Sequence, residues 1–250
     1  MADIDLALVA AFINQNIDSF HENRIAKIQE LQLREVIKRK NPYLFRAKNI
    51  ETGQQLLTAL VDAFVSSSEE TLFGGFLESV AIYVCQLAYG GQKSSSTGID
   101  LDFTRDGVRY LVTIKSSPSW GNSSQYQALE TNFKNALRVL RQSSHTGALQ
   151  AVLGMCFGKS RDSDTGVYLK KHGQSFWTFV SGSSRLYLDI VEPLGYEALE
   201  RNVRYETEKQ ATIKRLAQQF VPEFCDAGGY IDWAKLVKYN SGNLRESILP

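Results

Sequence analysis

Two stretches of this 250-residue chain put charge where apolar strands are expected: Gly98-Ile99-Asp100-Leu101-Asp102-Phe103 and Tyr110-Leu111-Val112-Thr113-Ile114-Lys115. Buried charge is costly unless it is paired or holds a metal, so only a fold that uses this segment can accommodate it. Asp106-Gly107, between the stretches, is a strong two-residue hairpin signal because both positions tolerate positive φ. That turn pairs Arg105 with Val108 and, counting outward, Asp100 with Thr113. Alternate strand residues share a face, and directly opposed residues point to the same side. Asp100, Thr113 and Lys115 are therefore expected to converge at the open end of the hairpin, with Asp102 one step deeper.

A second anomaly lies upstream. Among Asp, Glu, Lys and Arg, only Glu78 occurs between Glu70 and Lys93. Phe73, Phe76, Leu77, Val80 and Val84 form one apolar helical stripe, and Ala81, Ile82 and Cys85 lie on the side of Glu78. An almost wholly apolar helix thus carries one carboxylate inward. Glu78 either serves a buried backbone group or an arginine, or it is a functional acid, and the second reading is preferred. Paired carboxylates beside an ammonium in an apolar setting suit metal-dependent phosphodiester hydrolysis.

The rest of the chain reads as mixed α/β. Residues 3–39 suggest two helices broken near 18–21, the second ended by Pro42. Leu56, Leu57, Leu60, Val61 and Phe64 have helical spacing, the Glu78 helix follows, and Gly90-Gly91 stops it. A helix is expected over 123–141, with Phe133, Ala136, Leu137 and Leu140 inward. The apolar run 148–157 then has the signature of a central strand buried on both faces. Helix then strand makes a right-handed crossover beside Lys115. Residues 176–180 begin another helix, 185–191 fit either a strand or a helix, and 197–224 form a long charged helix before a Gly228-Gly229 turn. The expectation is a mixed central β-sheet flanked by helices, with helical N- and C-terminal additions. It forms a single domain over 1–250: a helical part (1–66), a core (69–195) and a second helical part (196–250).

A helix with a lone Glu, then G-x-D at a strand, then a hairpin into a strand ending in x-x-K resembles the PD-(D/E)XK nuclease core. Lys115-Ser116-Ser117-Pro118-Ser119-Trp120-Gly121-Asn122-Ser123-Ser124-Gln125 and Lys171-His172-Gly173-Gln174-Ser175-Phe176-Trp177-Thr178-Phe179-Val180-Ser181-Gly182 resemble type II restriction endonucleases in particular. The resemblance covers residues 69–195. It implies a restriction-endonuclease-like core, Asp100 as a metal-binding aspartate and Lys115 as the lysine that orients or deprotonates the attacking water. The cofactor it implies is Mg²⁺, with Mn²⁺ able to substitute. Where the family pattern has an acid two places before the lysine, this chain has Thr113, whose hydroxyl is a poor Mg²⁺ ligand. Glu78, Glu130 and Asp102 are candidates for the missing carboxylate. Glu78 ranks first, as the acid with least other reason to exist, whereas Glu130 among Gln127, Thr131 and Lys134 equally suits a solvated position.

The activity so implied is sequence-specific, Mg²⁺-dependent cutting of double-stranded DNA by a homodimer, with a cognate DNA methyltransferase in the same system. The alternatives are a structure-specific repair or recombination nuclease on the same core, and a catalytically inactive DNA-binding module, prompted by Thr113. Trp120, Asn122, Ser123, Ser124 and Gln125 follow the lysine and are placed to touch DNA. A helix N-cap at Asn122 or Ser123 explains the same loop, and both can hold.

Net charge is only +1, so DNA affinity must come from local patches. Arg34, Lys38, Arg39, Lys40, Arg46 and Lys48 form one such patch, with Glu35 the only acid between 34 and 50. It either grips phosphates or complements a helix C-terminus. Lys171, beside Lys170 and His172, is DNA-facing or simply exposed.

Gly90-Gly91-Gln92-Lys93-Ser94 lacks P-loop spacing, and His21, His145 and His172 have no ligand-spaced neighbours. Three scattered cysteines read as reduced core residues and show no zinc spacing. No signal peptide and no apolar run long enough to span a bilayer are evident. A cytoplasmic protein of a prokaryotic cell, without a membrane partner, is expected.

Overall fold

The computed structural model describes residues 4–142 and 147–242, so His145 lies outside them. Four helices come first: α1 (Leu6–Gln29), α2 (Leu33–Lys38), α3 (Pro42–Ala47) and α4 (Gly53–Tyr89). Strands β1 (Gln92–Lys93), β2 (Leu101–Arg105) and β3 (Val108–Lys115) follow, then α5 (Ser123–Gln142), β4 (Ala148–Met155), β5 (Ser163–Asp164) and β6 (Leu169–His172). The described chain closes with α6 (Gly173–Ser181), α7 (Leu186–Asp189), α8 (Val191–Leu194), α9 (Ala198–Phe224) and α10 (Trp233–Ser241).

The chain divides into two compact units. One comprises the residues up to Asp18 with Phe73–Tyr196; the other comprises Ser19–Leu72 with the residues from Glu197 on. The N-terminal helical part from Ser19 on and the C-terminal helical part thus share the second unit. Its core is built by Leu56, Leu57, Leu60 and Val61 of α4 with Ile213, Leu216, Phe220 and Phe224 of α9.

The first unit holds a mixed six-stranded sheet in the order β1-β2-β3-β4-β6-β5. Strands β2 and β3 are antiparallel around Asp106-Gly107, whose φ angles of 50° and 75° are those the hairpin turn demands. Arg105 pairs with Val108 and Leu101 with Val112, the register expected from the sequence. Strand β4 runs parallel to β3, with α5 as the connection, and β6 runs parallel to β4. Helix α5 covers one face: Leu129, Phe133 and Ala136 join Leu111, Ala151, Leu153 and Met155 in one buried cluster. Helix α6 covers the other, where Gly154 leaves room for the Phe176 ring.

Three helical expectations are corrected. Helix α1 runs unbroken through 18–21, because His21, 9% exposed, continues the buried stripe of Ile13, Ile17, Ile25 and Ile28. The break falls instead between Gln29 and Leu33. The stretches around Leu60 and Glu78 are one 37-residue helix. In its polar middle Ser68 donates to the Val65 carbonyl and Thr71 to that of Ser67, back-bonds a helix tolerates, and Glu69 pairs with Arg24 at 2.6 Å. By length and composition this helix is also long and apolar enough to cross a membrane, contrary to expectation, although Leu56, Leu57, Val61, Val80, Ala81, Val84 and Cys85 are buried within the protein. Residues 186–189, ambiguous in sequence, are helical.

Two glycines of the first unit should respond oppositely to alanine. A Cβ on Gly154 would lie 2.2 Å from a Phe176 ring carbon, whereas one on Gly75, inside α4, would meet nothing within 4 Å. Gly154→Ala is expected to cost about 1–3 kcal/mol through overpacking. Gly75→Ala should add roughly 0.5–1 kcal/mol through helix propensity. Urea-unfolding midpoints of the two variants check both signs.

Candidate active site

The first unit gathers four charged groups around the open end of the hairpin. Asp100 precedes β2, and its backbone amide donates to the Val112 carbonyl at 2.9 Å. Its carboxylate accepts the Ile114 amide at 2.7 Å, which turns the side chain toward the end of β3. Glu78 comes from α4. One turn earlier, a Cβ on Gly74 would sit 3.2 Å from the Ser116 hydroxyl, so glycine there lets the chain after Lys115 pass close to the helix. Lys93, on the edge strand β1, brings its ammonium within 3.8 Å of Glu78.

The electrostatics tie these groups together. Burial pushes the Glu78 carboxyl above its ordinary value, the Asp100 charge adds to the rise, and Lys93 and Lys115 oppose it. Burial also raises Asp100, against the lowering effects of the Ile114 amide, Lys115 and Lys93. The Cys156 thiol, pushed up to about 12 mainly by burial, is raised further by Glu78. The Cys156 amide donates to the Lys115 carbonyl at 2.8 Å, so Glu78 acts where β3 and β4 end.

Other residues picked from the sequence are placed elsewhere. Thr113 is 2% exposed and donates its hydroxyl to the Gly98 carbonyl at 2.7 Å. Asp102 is held by Arg109 through Nε–Oδ1 and Nη2–Oδ2 contacts of 2.9 and 2.6 Å. Glu130 lies on α5, paired to Lys134 at 3.6 Å. Among the described residues, no three His, Cys, Asp or Glu side chains are grouped to hold a metal.

Trp120 lies under the Lys115 ammonium, 5.2 Å from ring centre to nitrogen, and packs against Tyr126 at 4.8 Å. Asn122 and Gln125 form a reciprocal cap on α5: the Gln125 amide reaches Asn122 Oδ1 at 3.1 Å and the Asn122 amide reaches Gln125 Oε1 at 2.9 Å. Ser124 donates to Asn122 Oδ1, and Ser123 and Ser124 are exposed. Lys171 is paired with Asp162 at 3.0 Å. Arg39 and Lys40 belong to the other unit, where Arg39 lies 3.8 Å from Glu35 and Lys40 reaches the Ala63 carbonyl at 3.5 Å.

Sequence reasoning missed Lys93 and Arg109. Arg109 stands diagonally across the hairpin from Asp102, a neighbour the cross-strand rule identifies. Lys93 carried only the negative signal of a failed P-loop.

A mixed sheet flanked by helices, with an acid pair and a lysine at the end of its central hairpin, defines a restriction-endonuclease-like α/β fold. Residues 7–202 match the family "Type II restriction endonuclease EcoO109I", and the chain belongs to it. The protein is thus a type II restriction endonuclease. No curated protein matches the chain.

Because the Glu78 carboxyl titrates above its ordinary value, the folded chain keeps a proton that the unfolded chain releases. That contribution to stability is present at low pH and is lost as pH rises through the raised value. Without divalent ions, Glu78→Gln should therefore melt higher than wild type at neutral pH, with the gap closing as pH falls into the ordinary carboxylate range. Thermal melts in chelator across this range check it, and a gap that ignores pH would contradict it.

Proposed function

We propose that the chain is a sequence-specific, Mg²⁺-dependent endonuclease acting on double-stranded DNA, with Asp100, Glu78 and Lys115 as its working residues. The observation that carries this reading is the open end of the hairpin, where the Ile114 amide fixes the Asp100 carboxylate at 2.7 Å near the end of the Lys115 strand and Glu78 lies 3.8 Å from Lys93, with the Asp100 charge helping to hold the Glu78 carboxyl above its ordinary value. Like charges so placed are unfavourable alone and favourable around a cation. Mg²⁺ typically takes one or two carboxylates and keeps several waters, so the donor set fits it. Glu78 and Asp100 would hold the ion, which when bound supplies a Lewis acid for the scissile phosphate and a more acidic water.

The remaining work falls to the protein. The Ile114 amide orients Asp100 by a direct hydrogen bond. Lys115, last residue of its strand and packed on Trp120, presents donors to the attacking water and to the phosphoryl oxygens as charge develops on them. Thr113 has its hydroxyl committed to Gly98, so its part is to hold the entry to β2 against β3. Lys93 balances the acid pair.

A short two-fold target favours a homodimer with one cutting centre per strand. A cytoplasmic location in a prokaryotic cell, beside a cognate DNA methyltransferase that protects the host sequence, completes the reading. Thr113 in the acid's place favours one rival, a module that binds DNA without cutting it.

Plasmid digestion with Mg²⁺ or Mn²⁺ separates these readings. Discrete fragments are expected; smears or junction-restricted cutting would favour a structure-specific nuclease, and binding without cleavage the inactive module. Asp100→Ala and Lys115→Ala are each expected to abolish cutting while sparing DNA binding. Mg²⁺ should raise the melting temperature of wild type but not of Asp100→Ala.

A further inference from the structure

The sheet register separates the two adjacent lysines of β6. Thr113, Leu153 and Lys170 are partners across β3, β4 and β6, as are Ile114, Gly154 and Lys171. Partners on neighbouring strands point to the same side, and successive residues to opposite sides. Lys170 therefore projects on the α5 face with Thr113 and Lys115, and Lys171 on the α6 face.

The contacts agree. The Lys171 ammonium is neutralised by Asp162 at 3.0 Å and lies 5.4 Å from the Phe179 ring of α6. That of Lys170 lies 5.4 Å from the Tyr126 ring and 5.9 Å from Tyr168, and none of the ion pairs among the described residues includes it. Tyr126 packs on Trp120 at 4.8 Å, and Trp120 lies under Lys115 at 5.2 Å. Two cations on one face are thus linked through two stacked rings. An aromatic face steadies an ammonium and its stem without cancelling its charge, whereas a carboxylate cancels it.

We propose that Lys170 is a phosphate contact for the bound DNA, held by Tyr126 and joined through Trp120 to Lys115 in one cation–aromatic track. The assignment rests on the reading of the site as a DNA-cutting centre. Lys170 stands two strand spacings across and two residues along from Lys115, a backbone separation of about 12 Å. At a rise of about 3.4 Å per nucleotide along one strand, this is about three to four nucleotides of backbone. A phosphate at that distance from the cut would find its donors already placed.

The test measures binding of a fluorescein-labelled duplex of mixed sequence by anisotropy, over a salt series and without divalent ions. One lost phosphate contact lowers the slope of log K against log[salt] by about 0.9. Lys170→Ala is expected to show this loss, while Lys170→Arg and Lys171→Ala keep the wild-type slope. An unchanged slope for Lys170→Ala, or an equal loss for Lys171→Ala, overturns the assignment. Failure of the wild-type chain itself to bind duplex would instead overturn the DNA-cutting reading, so the two failures are told apart.

Discussion

Asp100 places a carboxylate at the entry to a buried sheet, and the hydrogen bond from the Ile114 amide makes that position tenable. Burial alone pushes its proton affinity up; the amide, Lys115 and Lys93 pull it back. A buried acid left unpartnered costs several kcal/mol, so the hairpin register, the end of β3 and the edge strand β1 are all bound to this one group. Glu78 then adds a second charge from α4, in a helix otherwise apolar around it. The Asp100 charge helps hold the Glu78 carboxyl above its ordinary value, and Lys93 and Lys115 oppose that rise.

The hairpin also shows how similar residues acquire different duties. Asp100 and Asp102 occupy alternate positions and share a face. Asp102 lies within reach of Arg109, which holds both of its oxygens, and it becomes a structural ion pair. Asp100 stands at the open end, where Arg109 does not reach, and keeps one oxygen free of the Ile114 amide. The same logic divides Lys170 from Lys171: one step along a strand exchanges an aromatic support for a neutralising acid. In the loop after Lys115, Asn122 and Gln125 cap α5 and thereby fix where Trp120 and Tyr126 stand.

Much of the core was legible because its signals are local. The Asp106-Gly107 turn determined the hairpin register, and the apolar run from 148 marked the central strand, which ends at Met155 with Phe157 exposed. The helical ends were less legible. The sequence suggests a break near 18–21 in α1 and separate helices around Leu60 and Glu78, which are one helix, α4. Buried residues instead run along each helix, from Ile13 to Ile28 in α1 and from Leu56 to Cys85 in α4.

The sequence by itself determined the hairpin, its register and the presence of an acid, a lysine and an apolar helix with a single carboxylate. Alternation and turn chemistry act between near neighbours, and they need no distant partner. Only the tertiary structure decided the surroundings of each carboxylate: the Asp100 charge acts on Glu78, Asp102 goes to Arg109, and Glu130 stays with Lys134. It also brought Lys93 to Glu78 and gathered Lys115, Trp120, Tyr126 and Lys170 from three segments of the chain. Charge interactions depend on distance through space and on burial, and neither can be counted along a sequence.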